Sequence, residues 1–257
     1  MRARAAVRAV ADRGTTVLED LRGEAPLGVW RGGDAAPGWA QVWLVGSAAG
    51  PLGGDDVELR IEVGDGAALE IGSVAASVAL AGAAPSVTRV HATVGADASL
   101  IWYPEPLVVT GRADHRVEVH IIAAADSCVW WRDELVLGRS GELPGRCTLS
   151  LRATLGGLPW LHHDLAVGEP GWDGPAVVAS SRCVGSVLTT ERLPPSTRDR
   201  AAVLHPAAGG ALALALAADR VALDRLLPIP PVQRSHHVRL PPRVNAGDRA
   251  LGVAAQP

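Results

Sequence analysis

A chain of 257 residues is long enough for one large domain or two small ones. Its 48% hydrophobic content and mean hydropathy of +0.18 supply a sizeable core and exclude global disorder, and a net charge of −3 argues against nucleic acid as the main partner. All 24 basic residues are arginine, which excludes lysine Schiff-base and lysine general-base chemistry.

The N-terminal stretch MRARAAVRAVADRGTTV carries Arg and Asp throughout and has no apolar core of a signal peptide. No run approaches 18 strongly apolar residues, since Asp219 and Arg220 interrupt GGALALALAADRVALDRLL, so no membrane span is expected. The three cysteines, Cys128, Cys147 and Cys183, are widely spaced and form no CxxC pair, so neither a disulfide framework nor a structural zinc site is indicated. These features predict a soluble, reduced, cytoplasmic protein.

The strand pattern begins after a glycine loop, GPLGGDD (50–56). In VELRIEV, Val57, Leu59, Ile61 and Val63 share one face and Glu58, Arg60 and Glu62 the other, the period of a half-buried strand. Gly64-Asp65-Gly66 supplies a turn, and Leu69 and Ile71 resume the apolar face. The pattern recurs with Val90, Ala92 and Val94, a turn at 95–97, and Leu100. It recurs again with Val117, Val119 and Ile121, a turn at 125–126, and Val129. A fourth unit has Leu149, Leu151, Ala153 and Leu155, a turn at 156–157, and Leu161. Leu69, Leu100, Val129 and Leu161 are separated by 31, 29 and 32 residues.

A two-strand unit repeated at that period predicts a mainly β fold of stacked β-hairpin repeats. The result is a β-helix-like, elongated domain with its turns aligned. An ordinary antiparallel sandwich is the alternative. One or two short α-helices are expected near the C-terminus. The best is AADRVALDRLLP, with Asp219 as cap and Pro228 as stop, preceded by a strand–turn–strand in AVLHPAAGGALALALA. Residues 1–230 are read as one β-rich domain and 231–257 as a Pro-rich tail containing His236 and His237.

The GGDD loop precedes a strand, whereas a phosphate loop needs a helix N-terminus after it, and no GKS or GKT occurs. Asp55 and Asp56 therefore either face a metal or bond backbone amides in the turn. LHHD (161–164) sets His162 and Asp164 on one strand face, which is two ligands and not a closed site. There is no GxSxG or HExxH, and no distinguished carboxylate pair. Trp102, Trp130, Trp131, Trp160 and Trp172 are either interface anchors or core.

An ordered series of segments resembles the UreD-type (also UreH-type) urease accessory proteins. It comprises GPLGGDDVEL (50–59) with VGDGAALEI, LIWYPEPLVV (100–109), WRDELVLGRSGE (131–142) and GWDGPAVVASSRCVGSVL (171–188). The match spans roughly residues 40 to 230. The resemblance implies a scaffold with a β-helix-like fold and no catalytic activity. It implies binding to a UreF-type accessory protein, recruitment of a UreG-type GTPase through it, and docking on apo-urease. It also implies no tightly bound cofactor, with Ni2+ as cargo in transit to urease. Asp55 and Glu134 are the leading candidates to touch that cargo, and Asp56, Glu105 and Glu142 the weaker ones. A carbohydrate-active enzyme on a stacked β frame, or a plain interaction module, are the competing readings.

Overall fold

The computed structural model describes residues 1–33 and 36–230, so the tail from 231 onward lies outside the described residues. The strands are β1 (Arg2–Asp12), β2 (Thr15–Gly23), β3 (Leu27–Arg31), β4 (Ala40–Gly46), β5 (Asp56–Val63), β6 (Ala68–Ser73), β7 (Ser77–Ala79), β8 (Ser86–Val94) and β9 (Ser99–Tyr103). They continue with β10 (Leu107–Val109), β11 (Asp114–Ala123), β12 (Cys128–Leu137), β13 (Arg146–Leu155), β14 (Leu158–Val167), β15 (Cys183–Thr189), β16 (Thr197–Arg198), β17 (Ala201–Leu204) and β18 (Ala211–Ala217). One helix, α1 (Arg220–Leu226), follows. No helix among the described residues is long and apolar enough to cross a membrane.

Two sheets enclose the core. The first runs β14-β13-β11-β8-β5-β1-β2. The second runs β16-β17-β18-β15-β12-β9-β6-β4-β3, with the short β10 paired to β12 and β7. The chain alternates between them, placing β5, β8, β11 and β13 in the first sheet and β6, β9 and β12 in the second. Neighbours from successive passes pair in parallel. A parallel pair needs a crossover, and here a strand of the opposite sheet provides it.

The fold is thus the stacked β arrangement expected, but the unit differs from a hairpin. In the first three units the two strands diverge into different sheets, and each pairs with its equivalent one pass away. Leu69, Leu100 and Val129 lie side by side in one register row. The fourth unit is a true hairpin: β13 and β14 pair antiparallel, so Leu161 faces Ala153 in the first sheet instead of Val129 in the second. The turns stack as expected. Gly95 N–H donates to Val63 O at 2.8 Å, Ala124 N–H to Val94 O at 2.9 Å, and Gly156 N–H to Ala123 O at 2.8 Å.

The glycine loop is a packing device. A methyl group on Gly53 would lie 2.4 Å from the Gly82 nitrogen, and one on Gly82 would lie 2.4 Å from the Gly53 oxygen. The two loops therefore touch backbone to backbone. Trp102, Trp130, Trp131 and Trp160 are core, and Trp172 packs against it partly buried. Asp219 caps α1 by accepting from Ala222 N–H at 2.8 Å, and Leu223 and Leu227 seat the helix on the outer face of the second sheet.

Candidate functional site

β12 carries the sequence VWWRDELVL, whose alternation is split between two buried faces. Val129, Trp131, Leu135 and Leu137 point into the main core, while Trp130 and Val136 point outward under α1. Parity sends Arg132 and Glu134 to the outer side and Asp133 to the inner one.

On the outer side α1 closes a charged cluster. Arg132 donates to both Glu134 and Asp224. Arg220 Nε donates to Glu134 Oε2 at 3.0 Å, and its Nη1 to Glu105 Oε2 at 2.9 Å. The Arg132 guanidinium stands 4.9 Å over the Tyr103 ring, and burial raises the Tyr103 pKa. Two guanidiniums thus meet three carboxylates. The Arg132 and Glu134 side chains are 2% and 1% exposed, and such desolvated charges persist only when paired.

On the inner side the Trp131 indole N–H donates to Asp133 Oδ2 at 2.8 Å and that of Trp102 to Oδ1 at 3.4 Å. The two rings stack at 4.6 Å. Burial pushes the Asp133 carboxyl up to about 6.

A second set of polar groups crosses the inner face of the first sheet. Ser86, His115 and Cys147 are neighbours in register on β8, β11 and β13, and all are buried. Asp55, also buried, stands beside Ser86 one residue before β5. The Ser86 hydroxyl lies 2.9 Å from His115 Nδ1. Burial pushes the imidazole down to about 4 and the Cys147 thiol up to about 12, so both are neutral at pH 7. The steps Asp55–Ser86–His115–Cys147 are 31, 29 and 32 residues, the same as those of the repeat.

Of the sequence candidates, Glu105 and Glu134 come together on Arg220. The others stand apart from that cluster. Asp55 accepts from Leu52 N–H at 2.9 Å and from the Met1 amino group at 2.8 Å. Burial opposes its ionisation, but these bonds outweigh burial and hold its pKa below the usual value. Asp56 pairs with Arg89 at 2.6 Å, and Arg89 also reaches Glu118. Glu142 pairs with Arg139, which holds its carboxyl down at about 2. His162 and Asp164 pair with each other on the exposed side of β14; His236 and His237 lie outside the described residues. Among the described residues no group of three or more His, Cys, Asp or Glu side chains is placed to hold a metal.

Sequence reading overlooked Arg220, Asp224, Tyr103, Asp133, His115 and Cys147. The signals were the i, i+4 spacing of Arg220 and Asp224, and the repeat step applied to Asp55.

The family model for the UreD urease accessory protein matches residues 1–227. A urease accessory protein UreD of Streptomyces coelicolor is 42% identical over 241 residues, covering 88% of this chain and 94% of that one. Proteins with the same description from Parafrankia sp. and Streptomyces avermitilis are each 40% identical, covering 88% of this chain and 86% and 95% of theirs.

Proposed function

Because the chain belongs to the UreD urease accessory protein family, with a role in urease maturation, we propose that it is a non-catalytic, cytoplasmic scaffold that links a UreF-type accessory protein and its UreG-type GTPase to apo-urease and passes Ni2+ to the enzyme. The cargo is a substrate in transit, with no resident cofactor. The observation that carries the transit reading is the inner row Asp55, Ser86, His115 and Cys147. This row sets oxygen, imidazole and thiol donors at one strand spacing each across the inner face of the first sheet. A bare cation in low dielectric is costly, and Ni2+ accepts carboxylate and imidazole. An imidazole held neutral is in its ligating form. Asp55 opens that row. Glu134, on the outer side of β12, and Glu105, which shares Arg220 with it, supply carboxylate oxygens at the second sheet, and Asp56 and Glu142 are weaker contributors at the surface.

The test is urease matured with the full set of accessory proteins and this chain carrying Asp55→Asn, His115→Gln or Glu134→Gln. The readouts are the nickel content of urease and pull-down of the accessory partners. Reduced nickel with assembly intact is expected. Full nickel loading with all three variants would remove these residues from the path, and lost assembly would assign them a structural role.

A further inference from the structure

The outer face of the second sheet is only half covered. α1 seals the half over β15 and β18, where Leu223 and Leu227 pack against Cys183, Val187 and the alanines of β18. The other half, over β3, β4 and β6, carries an aromatic row in strand register. Trp30 pairs with Trp43, Trp43 with Gly72, and Gly72 with Tyr103. Trp30 is 64% exposed.

Glycines let both indoles lie down. A methyl group at Gly72 would stand 2.6 Å from the Trp43 ring, and one at Gly28 would stand 3.1 Å from the Trp30 indole nitrogen. Each ring therefore covers backbone and turns its other side away from the sheet. Large, flat, amphipathic rings on a rigid sheet lose little freedom on contact, which is why tryptophan, tyrosine and arginine dominate interface hot spots.

Beside this row stands a charge without a counter-charge. Glu70, also outward on β6, is neighbour to Gln41 and Ile101. Its one side-chain hydrogen bond is from Gln41 Nε2 at a long 3.4 Å, and it makes no ion pair among the described residues. Burial raises its pKa with no cation to offset it. A half-buried carboxylate on the same face, diagonal in register to Trp43, is an incomplete polar contact, and a basic side chain from outside completes it.

We infer that Trp30, Trp43, Gly72 and Glu70 form the docking surface for a segment of a partner accessory protein that sets an arginine or lysine on Glu70 and apolar side chains across the two indoles. This rests on the scaffold reading above and names the surface through which it works.

The experiment titrates the full chain with the UreF-type accessory protein from the same organism and follows complex formation by light scattering and Kd. Relative to the unchanged chain, Trp30→Ser is expected to weaken binding about 30-fold and Glu70→Arg by more than that, from the 2 kcal/mol that defines a hot spot. Glu70→Gln, nearly isosteric, is expected to lose about tenfold without loss of melting temperature. Leu158→Ser, exposed on the first sheet, is expected to bind as the unchanged chain does. No binding by the unchanged chain would end the scaffold reading and this one together. Binding by the unchanged chain that Trp30 and Glu70 variants match within twofold would overturn the surface alone. So would a Trp30-dependent self-association in place of partner binding, which would give the face to a second copy. An affinity that rises on deleting residues 231–257 while ignoring Glu70 would give it to that segment and also overturn the inference.

Discussion

Arg220 on α1 donates to Glu134 on β12 at 3.0 Å, across 86 positions of sequence, with side chains 30% and 1% exposed. The bond ties the single described helix to the centre of the second sheet. Removing Glu134 leaves the buried Arg132 guanidinium with Asp224, itself 41% exposed, as the one carboxylate of the cluster still on it. Glu134→Ala is therefore expected to destabilise the chain by about 3–5 kcal/mol, measured by urea unfolding. Glu134→Gln, which keeps an acceptor for the guanidiniums, is expected to cost less. Arg220→Ala is expected to raise amide exchange across residues 220–226 while exchange in β12 holds.

The contact between the Gly53 and Gly82 backbones predicts a steric defect from the smallest substitution available. Gly53→Ala or Gly82→Ala is expected to destabilise by about 1–3 kcal/mol, because the loops must separate to admit the methyl. Gly54→Ala is a different case. It meets no atom within 4 Å but sits at φ +91°, so its cost is backbone strain of about 1 kcal/mol. Thermal melts of the three variants separate crowding from strain.

His115 and Asp133 set opposing pH dependences. The imidazole is held at about 4 against 6.5 when unfolded, so its unfolded form takes the proton first, and stability falls as pH drops from about 6.5 to about 4. The Asp133 carboxyl is held at about 6 against 3.8, so its folded form takes the proton first, and stability rises over about 6 to 4. Each spans about 3 kcal/mol, and they largely cancel. Relative to the unchanged chain, between pH 7 and 4.5, Asp133→Asn is expected to lose stability and His115→Gln to gain it. Urea midpoints across that range give the comparison, and the contributions of Glu70, His120 and His163 are common to all three and drop out of the differences.

Thiol chemistry divides the cysteines. Cys128 is exposed, whereas Cys147 and Cys183 are buried, and burial pushes the latter two up to about 12 and about 11. An electrophilic thiol reagent, which the thiolate attacks, is expected to modify Cys128 alone in the native chain and all three in denaturant. Rapid native labelling of Cys147 would show that the inner row is open to solvent.

The period-two alternation made the strands and stacked turns readable, because a residue such as Leu59 declares its face by its neighbours. It did not reveal pairing. Val57–Val63 and Leu69–Ile71 read alike whether the two runs fold onto each other or part into two sheets. Only the fourth unit, β13 with β14, is the hairpin the pattern suggests. The tryptophans were ambiguous for a related reason. Both faces of β12 are buried, so Trp130 and Trp131 are core on opposite sides, and adjacent positions carry no outward polar signal. Trp30, the exposed one, sits in a short edge strand with no clear alternation. Glu105 and Glu134 were visible as acids at motif positions, but their convergence depends on Arg220, which in sequence is merely a charge that interrupts an apolar run.

The parallel register has a consequence for how such a chain changes length. One residue inserted within β8 would reverse Val90, Ala92 and Val94 from core to solvent. A whole inserted coil of about 30 residues would instead lengthen both sheets by one strand and leave every existing face as it was. Growth of this architecture is therefore quantised, and tolerated small insertions are expected at the stacked turns near residues 64–66, 95–97 and 125–126, where no strand face is at stake.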